Sequence, residues 1–217
     1  MAEYKKFLNS KFEGFEILKP LFYSWNISLR FDLQVGETNT DEYFRIVQKR
    51  ANTLFESVFN SNDEIFLVLN EFKRRKRKIR VRNFVFSQVK NLEKDKIGYR
   101  RLSRLYDVDK FDRWNQGIIK TTMGQVNYKN ILAAIGHQDF PAREPRLDLF
   151  GGFTSKEIYF INIEKSLIFH MYDDRGLDII ASDVKTLRPI YEKYNDWILD
   201  DDRKTIYEQM KLSETQN

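Results

Sequence analysis

Apolar and polar residues along the chain follow patterns that predict most of its elements. In "WNISLRFDLQ" (25–34), Ile27, Leu29, Phe31 and Leu33 alternate with polar residues, the pattern of a half-buried strand. Asn39 with Glu42 three positions later offers a capping box, and Tyr43, Phe44, Val47, Ala51, Leu54, Phe55, Val58 and Phe59 then recur at helical spacing. The largely apolar "EIFLVLNEF" (64–72) reads as a strand central in a sheet. "KIRVRNFVF" (78–86) alternates as well, which predicts a hairpin with the basic run "KRRKRK" at its tip. Residues 90–125 show no sustained period and are assigned no element, although Trp114, Ile118 and Ile119 are expected to touch the core. Asn127 is placed to cap a helix carrying Ile131, Leu132 and Ile135 that ends before Pro141.

The stretch "EIYFINIEKSLIFHMYDDRGLDIIASD" contains three apolar runs separated by "EKS" and "DRG", the signature of a three-stranded antiparallel meander. After Ser182-Asp183 a helix carries Leu187, Ile190, Tyr191, Tyr194, Trp197 and Ile198 on one stripe, with Pro189 acceptable only in its first turn. A last short helix, "DRKTIYEQM", precedes a polar tail. A helix between strands at one end and a meander followed by helices at the other, without repeated βαβ units, predict an α+β fold. The sheet is expected to be mixed and mainly antiparallel, in a single domain over 1–217. No Gly, Pro or Ser-rich linker or internal repeat interrupts the chain.

Composition narrows the function classes. The absence of cysteine excludes disulfides, thiolate metal sites and cysteine nucleophiles. A charged start and the lack of any run of about 18 apolar residues predict a soluble, cytoplasmic protein with no membrane contact. The net charge of +5 is unevenly distributed: 13 Lys/Arg against 2 acids lie between Lys73 and Arg101, leaving 24 basic and 30 acidic residues elsewhere. Basic character therefore belongs to one region and does not mark a generally nucleic-acid-coating protein.

"YDDRGLDIIA" (172–181) and "LRPIYEKYNDWILDDDR" (187–203) resemble the bacterial family catalogued as domain of unknown function 3885, whose hallmark is a tyrosine-aspartate-aspartate-arginine-glycine motif. "SLRF" (28–31), "KRANTLFESVFNSNDEIFLVLN" (49–70), "HQDFP" (137–141) and "YFIN" (159–162) are similar to that family too, with the motif region at 158–203. The resemblance implies no reaction, ligand or catalytic residue, and "KRRKRK" has no place in its pattern.

Three constellations are candidates for chemistry. In the motif, Asp173 is placed to accept a backbone N–H two residues on, and Gly176 to supply the positive φ of a bulge. Asp174 and Arg175 are left free for a ligand or partner, unless Arg175 pairs with Asp178 or with the acidic run at 200–202. His137 with Asp139 and His170 with Asp173 would suit a water-activating divalent metal if the fold joined them, but spacing alone does not bring them together. Arg74, Arg75, Lys76, Arg77, Arg80 and Arg82 form the third, with Arg80 and Arg82 expected on one strand face with Phe84 and Phe86, suited to a phosphate backbone and stacked bases. The commoner role of such a tip is to keep a sheet edge soluble. Taken together the sequence predicts a protein-binding module, immunity or inhibitor-like, using Asp173, Asp174, Arg175 and the basic region. No metal or cofactor is expected and no catalytic residue is assigned; a nucleic-acid binder or a metal-dependent hydrolase are the alternatives.

Overall fold

The computed structural model describes residues 1–74, 78–102, 112–148 and 156–212. Their centre is a seven-stranded sheet in the order β1-β7-β6-β5-β2-β4-β3, formed by β1 (Ser28–Asp32), β2 (Glu64–Arg74), β3 (Ile97–Leu102), β4 (Asp112–Thr122), β5 (Lys156–Asn162), β6 (Leu167–Met171) and β7 (Gly176–Ala181). All its pairings are antiparallel, with no parallel pair of the kind a mixed sheet requires. The fold is α+β, and β5 to β7 form the expected meander.

Both faces of the sheet are covered, which is why its central strands read as nearly continuous apolar runs. Leu67, Leu69, Phe160, Phe169 and Ile179 face a core closed by α2 (Asp41–Val58), α4 (Tyr128–Gly136), α5 (Val184–Lys193) and α6 (Asp200–Leu212). Phe66, Val68, Tyr159, Ile161 and Ile168 face the other way, against Tyr4, Phe7 and Leu8 of α1 (Ala2–Lys11) and the segment through Phe12, Ile17 and Leu21. No helix among the described residues is long and apolar enough to cross a membrane.

Several local expectations are corrected. Residues 78–86 do not form a strand: Val81–Asn83 turn, and a single helical turn, α3 (Phe84–Ser87), follows. Asn83 Oδ1 accepts the Phe86 N–H at 3.0 Å, a local cap that outcompetes strand pairing. The place beside β2 is taken by β4, in which Gly117 leaves room for the Phe86 ring; a Cβ there would lie 2.6 Å from Phe86 Cζ. The cap of α2 is Thr40, whose side chain accepts the Tyr43 N–H, whereas Asn39 adopts φ 65° and Glu42 pairs with Arg45. Pro189 lies beyond the first turn of α5, on an exposed face where water can reach the carbonyl its missing N–H leaves unbonded.

Candidate functional site

The Tyr-Asp-Asp-Arg-Gly motif forms the turn between β6 and β7, braced from three directions. Locally, Tyr172 N donates to Gly176 O at 3.2 Å, and Arg175 N donates to Asp173 Oδ1 at 2.8 Å, the Asx turn read from the sequence. From β1, Leu33 N donates to Arg175 O at 2.9 Å. Beyond the end of α4, Gln138 Nε2 donates to Tyr172 O at 2.7 Å.

The two aspartates, both 4% exposed, have different tasks. Asp173 Oδ2 accepts from Arg175 Nε at 2.9 Å and also from Nη2, so the guanidinium is locked onto its own turn. These bonds push the Arg175 pKa further above its ordinary value. Asp174 Oδ2 accepts from Tyr43 Oη of α2, which in turn accepts from Gln34 Nε2 at 3.1 Å. Burial, seconded by the neighbouring Asp173 charge, raises the Asp174 carboxyl above its usual range against the pull of the tyrosine bond. The Tyr43 hydroxyl is raised as well, first by burial and then by Asp174.

Two expectations about the motif change. Arg175 pairs with Asp173 rather than with Asp178 or the acidic run, because Asp178 is held by Arg30 of β1 through Nε–Oδ1 at 2.9 Å and Nη2–Oδ2 at 3.3 Å. Gly176 does not have a positive φ. Glycine is needed there for close approach: a Cβ would overlap Tyr172 Oη and lie 2.7 Å from the carbonyl oxygen of Phe31.

The fold does not assemble the histidine pairs. His137 lies on the α2 side, 5.1 Å from the Phe44 ring, with Nε2 3.2 Å from Gln48 Nε2 and Nδ1 3.2 Å from Pro145 O. His170 points to the opposite face of the sheet, its ring stacked on Tyr159 at 4.3 Å and Nδ1 2.8 Å from Ile158 O. Burial lowers the pKa of both imidazoles. Asp139, Asp173 and Asp174 do converge, offering oxygens within 4.8 Å of one another. Both Asp173 oxygens, however, accept from Arg175 and one Asp174 oxygen accepts from Tyr43, so a cation already stands among these acids and it is a guanidinium.

Of the basic region, Arg75, Lys76 and Arg77 lie outside the described residues, and Arg74 closes β2. Arg80 and Arg82 are exposed, but they share no strand face with Phe84 and Phe86. Phe86 is 2% exposed and offers no face to a base, and Phe84 is half-buried against the core.

Sequence reading missed a polar seam under the α1 face. Arg100 Nε donates to Gln116 Oε1 at 2.6 Å, Gln116 Nε2 to Asn70 Oδ1 at 2.7 Å and Asn70 Nδ2 to Glu157 Oε2 at 3.4 Å, while Tyr159 Oη donates to the same Glu157 oxygen at 2.8 Å. The available signal was a polar residue at the edge of an apolar run, Asn70 after "IFLVL" and Glu157 before "IYFI". Buried polar groups of this kind are tolerated when bonded to one another, and here they help fix the strand register.

The family model described as Domain of unknown function (DUF3885) matches residues 4–202. The chain belongs to the DUF3885 family. The match runs from α1 into α6 and so takes in the whole sheet, the motif turn and its braces from Gln34, Tyr43 and Gln138. The chain is also similar to the uncharacterized protein YnaE of Bacillus subtilis (strain 168), with 29% identity over 207 residues, 88% of this chain and 95% of YnaE. No solved structure matches this DUF3885 chain.

Proposed function

We propose that this protein is a cytoplasmic, single-domain protein-binding module, immunity or inhibitor-like in role, that presents Arg175 to a carboxylate on its partner. One observation carries the reading: the Arg175 side chain is 64% exposed, yet its guanidinium is held in place by Asp173. An exposed arginine ordinarily samples many rotamers and loses that freedom on binding. Here the loss has already occurred in the free protein. Nη1 and the second Nη2 hydrogen have no partner among the described residues, and they can form a bidentate contact with a carboxylate. The uneven charge of the chain supports rapid capture of a partner of opposite sign. Binding fits better than hydrolysis, because the histidines stand on opposite faces of the sheet and a guanidinium occupies the acidic group.

The test is a pull-down from a bacterial lysate with the whole chain as bait, comparing wild type, Arg175→Ala and Arg175→Lys. The retained partner should be lost with both variants; Arg175→Lys, which keeps a charge beside Asp173 but not the fork, should melt as wild type, while Arg175→Ala should melt somewhat lower yet remain folded, because it leaves the buried Asp173 unpaired. Undiminished retention by Arg175→Ala refutes the reading. A melt lowered in Arg175→Lys makes Arg175 part of the scaffold instead.

A further inference from the structure

A second surface feature adjoins Phe22 and Tyr23, the rings on which Arg30 packs. Between the segment around Phe22–Asn26 and the first turns of α6 is a cleft of about 450 Å³, lined by Phe22, Tyr23 and Trp25 on one wall and by Asp201, Asp202 and Gln209 on the other. That volume falls within the roughly 300 to 1,000 Å³ of small-ligand sites.

Its polar wall contains a carboxylate, that of Asp202, which no other described residue engages. Asp202 is 8% exposed, yet its carboxylate has no hydrogen bond or ion pair with any described residue. The cation whose charge reaches it, Arg30, is committed to Asp178 by two hydrogen bonds. Acids in the first turn of a helix are ordinarily explained by the macrodipole, which accounts for Asp200 and the exposed Asp201. It does not by itself explain why Asp202 is largely enclosed, its carboxylate lining the cleft partly dehydrated and without a partner among the described residues.

The aromatic wall is held open. Trp25 is fixed by its Nε1–H donating to Ala181 O at 2.7 Å and by Phe12 and Phe15, with ring centroids at 5.2 and 5.6 Å. Tyr23 is 69% exposed, although one of its faces already carries the Arg30 guanidinium at 4.6 Å. Arg30 and Asp178 cancel, leaving Asp201 and Asp202 to make the cleft negative. Aromatic faces beside a partly dehydrated carboxylate are complementary to an ammonium or guanidinium on an apolar stem.

We propose that this cleft binds an organic cation, an alkylammonium or alkylguanidinium group, through the Asp202 carboxylate and the rings of Tyr23 and Trp25. The site is separate from Arg175 and does not depend on its role. Such a cation can come from a free amine or from a lysine or arginine side chain of a protein, and the two sources are separable by experiment.

The side-chain indole signal of Trp25, assigned in ¹⁵N spectra with Trp25→Phe, would be followed in the whole chain during titration with n-butylammonium, n-butylguanidinium and, as an uncharged control, n-butanol. Saturable shifts are expected with the cations and not with the alcohol. Asp202→Asn should weaken cation binding by about tenfold and Tyr23→Ala by several-fold, while Tyr23→Phe should retain it, since the ring face supplies the attraction. Tyr23 is exposed, so its variants remain informative even if Asp202→Asn does not fold. Blocked lysine, N-acetyl-lysine methylamide, binding at least tenfold more tightly than n-butylammonium assigns the site to a protein side chain; equal binding assigns it to a free amine. Absence of a saturable shift with every cation overturns the proposal, as does unchanged affinity in both Asp202→Asn and Tyr23→Ala.

Discussion

Replacing Gly176 by alanine should be among the most damaging single substitutions in this protein, and the reason can be separated from the usual one for glycine. The added Cβ would overlap Tyr172 Oη, lie 2.8 Å from Tyr172 Cζ and lie 2.7 Å from the Phe31 carbonyl oxygen. The tyrosine can swing away. The carbonyl cannot, because it belongs to β1, which pairs with β7 through Asp32 opposite Gly176. Relief therefore requires β1 to move off β7 by several tenths of an ångström, loosening the 2.9 Å bond from Leu33 N to Arg175 O. Overpacking costs about 1 to 3 kcal/mol and a weakened backbone hydrogen bond about 1 more, so Gly176→Ala should lose about 2 to 4 kcal/mol. For a chain of this size that lowers the melting temperature by about 5 to 15 °C. Urea unfolding followed by far-UV circular dichroism, with the m-value checked for constancy, measures it directly. Adding Tyr172→Phe should recover less than half of the loss, since the carbonyl remains. Asparagine gives the sharpest contrast. At Gly36, where φ is +83° and nothing lies within 4 Å of a built Cβ, asparagine should be milder than alanine. At Gly176 asparagine should be worse, because space is limiting. A Gly176→Ala protein within about 0.5 kcal/mol of wild type, or asparagine milder than alanine at 176, refutes this account.

Two further outcomes are expected. His170 is buried among Tyr159, Glu157, Asp178 and the more distant Lys19, and burial holds its pKa below that of an unfolded histidine, so the unfolded chain takes up the proton first as the medium is acidified. Its contribution is complete above about pH 6.5 and is lost as pH falls below it. The raised carboxyls of Asp174 and Asp202 act in the opposite sense, so the measurement is the difference in slope between wild type and His170→Gln; identical slopes refute it. Dialysed protein should also hold no stoichiometric zinc, manganese or iron by elemental analysis, because Arg175 already neutralises the group of Asp139, Asp173 and Asp174. Stoichiometric metal lost on Asp139→Ala would replace the guanidinium reading with a metal site.

Legibility in the sequence followed the range of the interactions. The strand at 28–32, the long helix and the meander were readable because each combines an unbroken period with a local stop signal. The strand "DRWNQGIIKTT" was not: Asn115 and Gln116 interrupt its apolar run, and Gly117 has no side chain because Phe86 packs there. Residues 78–86 read as a strand by alternation, but the cap from Asn83 is a three-residue effect that periodicity does not register. In the motif, the Asx turn of Asp173 was visible because it spans two residues. The bond from Tyr43 to Asp174 was not, because 131 residues separate the partners. Gly176 was correctly singled out for the wrong reason, since a close approach of β1 leaves no trace in the local sequence.

The motif thus divides its labour between scaffold and surface. Asp174 and Gly176 face inward and tie the turn to α2 and β1, while Asp173 spends both oxygens on holding Arg175 and leaves the guanidinium outside. Arg30 links this turn to the aromatic wall of the cleft, its guanidinium lying 5.6 Å from the Tyr172 ring and 4.6 Å from the Tyr23 ring. Arg30 adds no net charge to this surface, since Asp178 pairs with it, and it packs on the Phe22, Tyr23 and Tyr172 rings. What remains at the surface is the Arg175 guanidinium, held by Asp173 with part of its donor set open, and the Asp202 carboxylate in the cleft. A partner reaching both would have to present a carboxylate to the first and a cation to the second. That requirement discriminates against purely acidic or purely basic surfaces more strongly than either contact does alone.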